Sequence, residues 1–458
     1  MITDMTEGSP AKLLWRFSIP LFLSVIFQQF YNIADSVVAG QFVGENALAA
    51  VGTSYPITMI FMAVATGANI GCSVIISQLF GAKDYSRMKT AVSTSLISCL
   101  ALSLILTVAG VFLSSPLMQA LNTPGDIFGD AELYLQVYVW GLVFLFLYNV
   151  CTGIFTALGD SKTPLYFLIA SSLSNIGLDI LFVTAFQMGV AGVAWATFLC
   201  QGVASVLAAL TLFKRLRAIE TPYYAKFSGH MLGNISKVAV PSILQQSFVS
   251  VGNLLIQGLV NSFGPAVIAG YSASIKINTF AITSISTLSN GLSSYTAQNV
   301  GARKVERVRQ GARATAGMSA GIIAAFIALL LLLSRQLVGL FMDNPSQTAM
   351  SVGVEFLQVV VPFYAILGCK FIFDGVLRGS GSMICFMIGT FLDLIIRVVL
   401  SFVLTGSMGP AGIFYAWPAG WVVSTILAGA FYFTGIWKRR WKQPEMPPEA
   451  EEWAPETE

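Results

Sequence analysis

Residues 19–40 read IPLFLSVIFQQFYNIADSVVAG. The stretch is apolar and long enough to enter a bilayer, whose hydrocarbon core takes about 20 residues of helix. It nevertheless carries a carboxylate, Asp35. An ionised Asp at the centre of a membrane helix costs about 3 kcal/mol on the mildest scale, so such a residue faces a bundle interior or a wet cavity and marks a functional site. Gln28, Tyr31, Asn32 and Asp35 follow i, i+3, i+4, i+7 spacing and share one helical stripe. Pro20, near the start of the same span, removes a backbone donor and gives the helix a place to bend. A polar stripe, a buried acid and a hinge in one helix predict a moving part that binds something.

The rest of the chain extends this reading. Its 458 residues are 55% hydrophobic and only 10% charged, against about 25% charged in soluble domains. Mean hydropathy is +0.75. The apolar runs are continuous and near the length of a membrane helix, whereas barrel strands alternate over about ten residues. The expectation is an all-α polytopic membrane protein with twelve spans: 14–40, 47–79, 90–117, 131–157, 163–187, 190–213, 235–262, 266–298, 312–334, 350–377, 383–405 and 409–437.

All but four of the 25 basic residues fall at the ends of spans on one side, among them Lys83, Arg87, Lys89, Lys214, Arg215, Arg217, Lys237, Arg307 and Arg309. The other side holds Arg335 alone, and Lys276, Lys370 and Arg397 lie inside spans. The positive-inside rule then places both termini in the cytoplasm, with the protein in the plasma membrane. Residues 1–13 form a cytoplasmic N-terminus, 14–213 an N-lobe, 214–234 a linker and 235–437 a C-lobe. Residues 438–458 are acidic and Pro-rich and are expected to be disordered. The six cysteines all lie in apolar spans with no CxxC pair and read as small buried hydrophobes. His230, the single histidine, reads as a loop residue. No nucleophile–base motif, metal cluster or phosphate-binding loop is recognisable, which argues against an enzyme. Neither a cofactor nor a nucleic-acid partner is expected, and the chain is read as a monomer in the lipid bilayer.

The chain repeats itself. SQLFGAKDYSRMKTA from Ser77 resembles AQNVGARKVERVRQGA from Ala297, with Gln78 and Gly81 matching Gln298 and Gly301 at an offset of 220. Pro20 and Asn32 match Pro241 and Asn253, and Gly153 and Gly159 match Gly375 and Gly381. Each half holds an even number of spans, so the halves are parallel repeats about an axis along the membrane normal, with a central site between them. Asp35 aligns near Ile256, so the second half lacks that acid. It keeps a polar stripe that includes Gln246 and Asn253.

Span 5 places Asn175 and Asp179 four apart on one face, and span 6 contributes Thr197. With Asp35 these supply two carboxylates, an amide oxygen and a hydroxyl, a set suited to a hard cation such as Na⁺ or to a shared proton. Ordinary interhelical hydrogen bonding is the competing account of Asn175 and Thr197. In the second half Lys370–Asp374 and Asp393–Arg397 are each i, i+4 and can pair on their own helices, while Lys276 has no local partner. The alternative is a net-positive cavity wall, suited to a substrate with an anionic or zwitterionic group. The candidate cavity residues are Gln28, Tyr31, Asn32, Gln246, Asn253, Lys276, Lys370, Asp374, Asp393 and Arg397.

Together, the YNIAD, QLFGAKD, QNVGARK and NIGLD elements and the two six-span halves resemble the multidrug and toxic compound extrusion (MATE) family, over about residues 10 to 440. The resemblance implies two pseudo-symmetric lobes that alternate in access and export small organic compounds or drugs in exchange for Na⁺ or H⁺. In the prokaryotic branch it implies an N-lobe cation site at Asp35, Asn175, Asp179 and Thr197, with Pro20 as hinge. The branch with acids on helices 7 and 8 is not matched, because span 7 carries none. Lys276, Lys370 and Arg397 are unlike a site built only for lipophilic cations. The rival readings are a flippase for a lipid-linked glycan or anionic lipid precursor, whose cavity is cationic, and a non-transporting receptor or scaffold.

Overall fold

A computed structural model describes residues 2–38, 45–121, 123–342 and 346–438, with backbone alone at 32–38 and 45–49. The first half runs α1 (Pro10–Val38), α2 (Glu45–Gly81), α3 (Tyr85–Ala120), α4 (Phe128–Trp140), α5 (Leu142–Ala157), α6 (Lys162–Ile180) and α7 (Gly189–Arg217). The second runs α8 (Gly229–Asn261), α9 (Pro265–Gly301), α10 (Val305–Leu332), α11 (Ser334–Gly339), α12 (Gln347–Val360), α13 (Tyr364–Gly379), α14 (Met383–Met408) and α15 (Ala411–Phe433). Each of the twelve predicted spans falls on one helix or on a broken pair. The fold is an all-α, two-lobe membrane bundle.

Among the described residues, ten spans are long and apolar enough to cross a membrane, and α4 with α5 makes an eleventh, bent by 47°. The twelfth, α9, has 37 residues but is studded with Ser, Thr and Asn. It tolerates them because most of the helix is buried against its neighbours rather than facing lipid.

Several basic residues read as loop prove to be helical. Arg87 and Lys89 lie in α3, and Arg307 and Arg309 in α10. An apolar window sees only the part of a helix inside the bilayer, whereas the caps set where it begins. Asp84 accepts from the Arg87 amide at 3.0 Å and Ser228 from the Met231 amide at 3.3 Å. His230 is therefore an exposed residue in the first turn of α8, not in a loop. Of the cysteines, Cys369 is exposed and Cys385 half-buried, so those two depart from the buried-hydrophobe reading.

The repeat is written into the backbone. Left-handed residues recur at offsets of 220 to 222: Lys83 (φ 60°) and Arg303 (φ 57°), Gly159 (φ 74°) and Gly381 (φ 77°), Gly189 (φ 56°) and Gly409 (φ 60°). Each closes or opens a helix at a matching joint. After α2 the Asp84 amide reaches back to Leu79 O at 3.1 Å, and after α9 the Lys304 amide reaches Asn299 O at 2.8 Å, the backward bond of a Schellman turn. The fourth span breaks at Gly141 and the tenth at the 3₁₀ turn Val361–Phe363, again at corresponding places.

The halves join at the end that carries the basic residues. One hydrophobic core runs through the first half and continues into that end of the second through Met231, Val238, Leu292, Tyr295 and Leu377. The far end of the second half has its own core around Phe356, Tyr364, Phe414 and Trp421. The seam is clasped symmetrically. Gln78 Nε2 donates to Gly379 O at 3.1 Å, and Gln298 Nε2 donates to Ala157 O at 2.9 Å. A Cβ on Gly81 would lie 1.9 Å from Gln298 O, and one on Gly301 would lie 1.8 Å from Gln78 O. Only glycine lets α2 and α9 approach this closely.

Residues 2–9 thread this seam. The Thr3 amide donates to Leu158 O at 3.0 Å and the Met5 amide to Gln298 Oε1 at 2.8 Å. Met5 O accepts from Asn299 Nδ2 and from Arg307, Thr6 O from Lys304, and Gly8 O from Arg307. Met5 and Thr6 are buried. The N-terminal segment is thus a strap bound to both halves.

Candidate functional site

A cavity of about 580 Å³ lies between the halves. The first half supplies neutral side chains to it, including Ser24 of α1, Thr66, Asn69 and Ser73 of α2, and Thr156 of α5. The second half supplies Gln246, Lys370, Asp374, Arg378, Asp393 and Arg397. Trp417 and Trp421 of α15 form an aromatic wall, their rings edge to face at 5.9 Å.

The two i, i+4 pairs differ. Lys370 Nζ and Asp374 Oδ2 close an ion pair at 2.7 Å, both buried. Asp393 and Arg397 do not come within ion-pair distance among the described residues. Arg397 instead lays its guanidinium over the Trp417 ring, 4.2 Å from the centroid. Asp393 turns toward α15, where a Cβ on Gly420 would lie 2.4 Å from its Oδ1. Arg378 donates to Asn290 Oδ1 at 2.6 Å and Ser293 Oγ at 3.2 Å.

A second polar cluster lies in the first half. Asn175 and Asp179 on α6 are buried, and Thr197 on α7 is half-buried. The Asn175 amide is best satisfied with its oxygen accepting from the Thr197 backbone amide at 3.2 Å. Its nitrogen then donates to Tyr31 Oη of α1 at 2.7 Å and to Asp179 Oδ2 at 3.1 Å. The Thr197 hydroxyl is 3.4 Å from the same amide group. Directly after Asp179 the helix widens into a π turn, Leu181–Ala185, a feature frequent at functional sites. Three elements therefore meet around one buried carboxylate. Asp35 and Asn32 lie on α1, but their side chains are outside the described residues.

The MatE family model matches residues 20–181 and 241–403, one copy on each half. The chain belongs to the MatE family. This MatE transporter is 29% identical over 437 residues to the "Probable multidrug resistance protein YpnP" of Bacillus subtilis strain 168, covering 95% of this chain and 97% of that protein. It is 24% identical over 411 residues to the "Multidrug export protein MepA" of Staphylococcus saprophyticus, covering 90% of each. Among solved structures, the "Outward-facing conformation of a multidrug resistance MATE family transporter of the MOP superfamily" superposes with a TM-score of 0.88 at 24% identity, over 96% of this chain and 99% of that one. A MATE in complex with MaD3S gives 0.86 at 25%, over 95% and 98%.

The MatE fold brings together Asn175, Asp179, Thr197 and Tyr31, although sequence spacing had put Tyr31 in the cavity set. Of the other cavity candidates, Gln246, Lys370, Asp374, Asp393 and Arg397 line the cavity, whereas Gln28, Asn253 and Lys276 do not. Lys276 is exposed, with its ammonium 5.8 Å from the Phe341 ring. α1 passes Pro20 as one continuous helix. Arg378, Trp417 and Trp421 line the cavity without having been singled out. Arg378 follows span 10 in the sequence and so counts among the basic residues at span ends.

Proposed function

We propose that this MatE transporter is a secondary active antiporter that exports organic compounds in exchange for Na⁺ or H⁺ by alternating access. The observation that carries the reading is the separation of two sites. The Asn175–Asp179–Thr197–Tyr31 cluster is buried inside the first half, while the large cavity lies between the halves. An ion and an organic molecule can then bind at once and be coupled through α1, which touches both. Asp35, four positions beyond Tyr31, supplies the second carboxylate of the cation site, and α1 bends at Pro20 as the cation loads. Names of the curated relatives support drugs as the exported class.

The basic end faces the cytoplasm by the positive-inside rule, so the clasp and strap close the cytoplasmic side and leave the cavity destined for the outside. Residues 14–213 and 235–437 move as the two lobes, and the working unit is a monomer in the plasma membrane.

Thermal unfolding of the purified protein in NaCl, with KCl as control, across pH, tests the ion site. A ligand that binds only the folded state adds about 2.7 kcal/mol at a hundred times its Kd. Na⁺-specific stabilisation that vanishes in Asp35→Asn and Asp179→Asn is expected for sodium coupling. A pH dependence erased by the same substitutions, with no Na⁺ effect, assigns the site to a proton. Indifference of all three proteins to both ions would remove the cation site.

A further inference from the structure

We infer that the cavity of this transporter is built for an organic anion with an aromatic body, its acidic group held by Arg397. The inference rests on the reading of that cavity as the substrate chamber, and it deepens it by naming the substrate class.

The charge census comes first. Lys370, Arg378 and Arg397 face Asp374 and Asp393, and the first half adds no ionised group to the lining among the described residues. Among the described residues the wall therefore carries a net positive charge. Lys370 and Asp374 neutralise each other at 2.7 Å. Arg378 is held by two neutral oxygens, of Asn290 and Ser293, with no carboxylate in ion-pair range among the described residues.

Arg397 is the group left to act. It is only 6% exposed. Its Nε has no hydrogen-bond partner among the described residues. The acid one turn away is parked elsewhere, because the bare backbone of Gly420 gives the Asp393 carboxylate room against α15. Asp393 still acts on the guanidinium through space but makes no ion pair with it, and an incoming carboxylate or sulfonate supplies the direct partner that a buried charge lacks. The geometry suits such a guest. The guanidinium carbon sits over the Trp417 ring, 4.2 Å from its centroid, and the unpartnered Nε–H is a donor open to an oxyanion. Trp417, Trp421, Phe371 and Phe386 supply apolar walls. A lipophilic cation entering the same space adds a like charge to a wall already in surplus.

The test is equilibrium binding to the purified transporter in lipid nanodiscs, using two probes of one shape: 2-naphthoate and 2-naphthylmethylammonium. The anion is expected to bind at least about tenfold tighter, the scale of one charge-assisted hydrogen bond. Arg397→Gln should cost the anion about tenfold and leave the cation unchanged or tighter, and Arg397→Lys should restore part of the loss. The wild-type comparison stands even if a variant fails to fold. Tighter binding of the cation to wild type, or an equal loss of both probes in Arg397→Gln, overturns the inference. Binding needs no gradient, so its outcome is separable from antiport. Arg397-dependent naphthoate binding without gradient-driven transport in proteoliposomes would sink the antiporter and spare the anion site. Gradient-driven ethidium movement with no naphthoate binding would do the reverse.

Discussion

Asp160 shows how much a single side chain organises in this bundle. It is 1% exposed. Its carboxylate accepts from the amides of Lys162 and Thr163 at 3.2 and 3.1 Å and from the Thr163 hydroxyl at 2.8 Å, capping the start of α6. It also pairs with Arg215 of α7, whose guanidinium donates to Thr163 Oγ1 and lies over the Phe155 ring. Breaking a fully buried pair costs about 3–5 kcal/mol. Arg215 retains some solvent, with 27% of its side chain exposed, so about 2 kcal/mol is expected for Asp160→Ala. Asp160→Asn should lose less, because an amide oxygen still caps. Thermal unfolding of the two variants measures this, and equal melting temperatures in all three proteins would contradict it. None of this network stood out in the sequence. The cap signal was present in Asp160-Ser-Lys-Thr-Pro, but its partner lies 55 positions away on another helix. Asn175 and Asp179 were legible because both sit on one helix, where spacing fixes the face. Asp393 and Arg397 have the same spacing and make no ion pair, and the missing side chain of Gly420 on a neighbouring helix is what leaves the acid room to turn aside. Local periodicity cannot contain that third party.

Helices α2 and α9 carry the joint between the halves. Their matching lengths of 37 residues and their Gln-x-x-Gly endings were visible as a repeat. The close approach at Gly81 and Gly301 was not, because a repeat says that two places are alike and not that they touch. Gly81→Val or Gly301→Val sets side-chain atoms where the partner's carbonyl now lies. Overpacking of this kind costs about 1–3 kcal/mol. Each variant should loosen the seam, which hydrogen exchange at 77–82 and 297–302 would register as faster exchange in both segments, including the one left unmutated. Faster exchange only in the mutated helix would mean that the clasp is not shared. The break between α4 and α5 belongs to the same scale. The fourth span was read as one helix of 131–157, and Gly141 within it is where the two pieces meet at 47°. A lone Gly in an apolar run does not announce a bend, since neighbouring helices decide whether it is used.

At the scale of the molecule, the twofold plan was legible almost entirely, because it rests on composition and on identities repeated at a fixed offset. The strap was not: residues 2–9 look like an ordinary polar lead-in to α1. Six hydrogen bonds tie the strap's backbone to both halves, at about 1 kcal/mol net each before the entropy of ordering the segment is subtracted. Deleting residues 2–8 should shift the population toward a form open at the basic end by at least about tenfold, a change worth 1.4 kcal/mol. Electron-spin distances between labels on the basic ends of α3 and α10 would lengthen, whereas an unchanged distance distribution would deny the strap any part in closure. The strap also bears on how the chain is made. Met5 and Asn299 are 294 positions apart. At about 5–20 residues per second of synthesis, Met5 waits at least about 15 s for its partner to exist. Throughout that time the leading segment can reach only its first-lobe partner, Leu158, and the groove that holds Met5, Thr6 and Gly8 comes into being only with α9 and the start of α10.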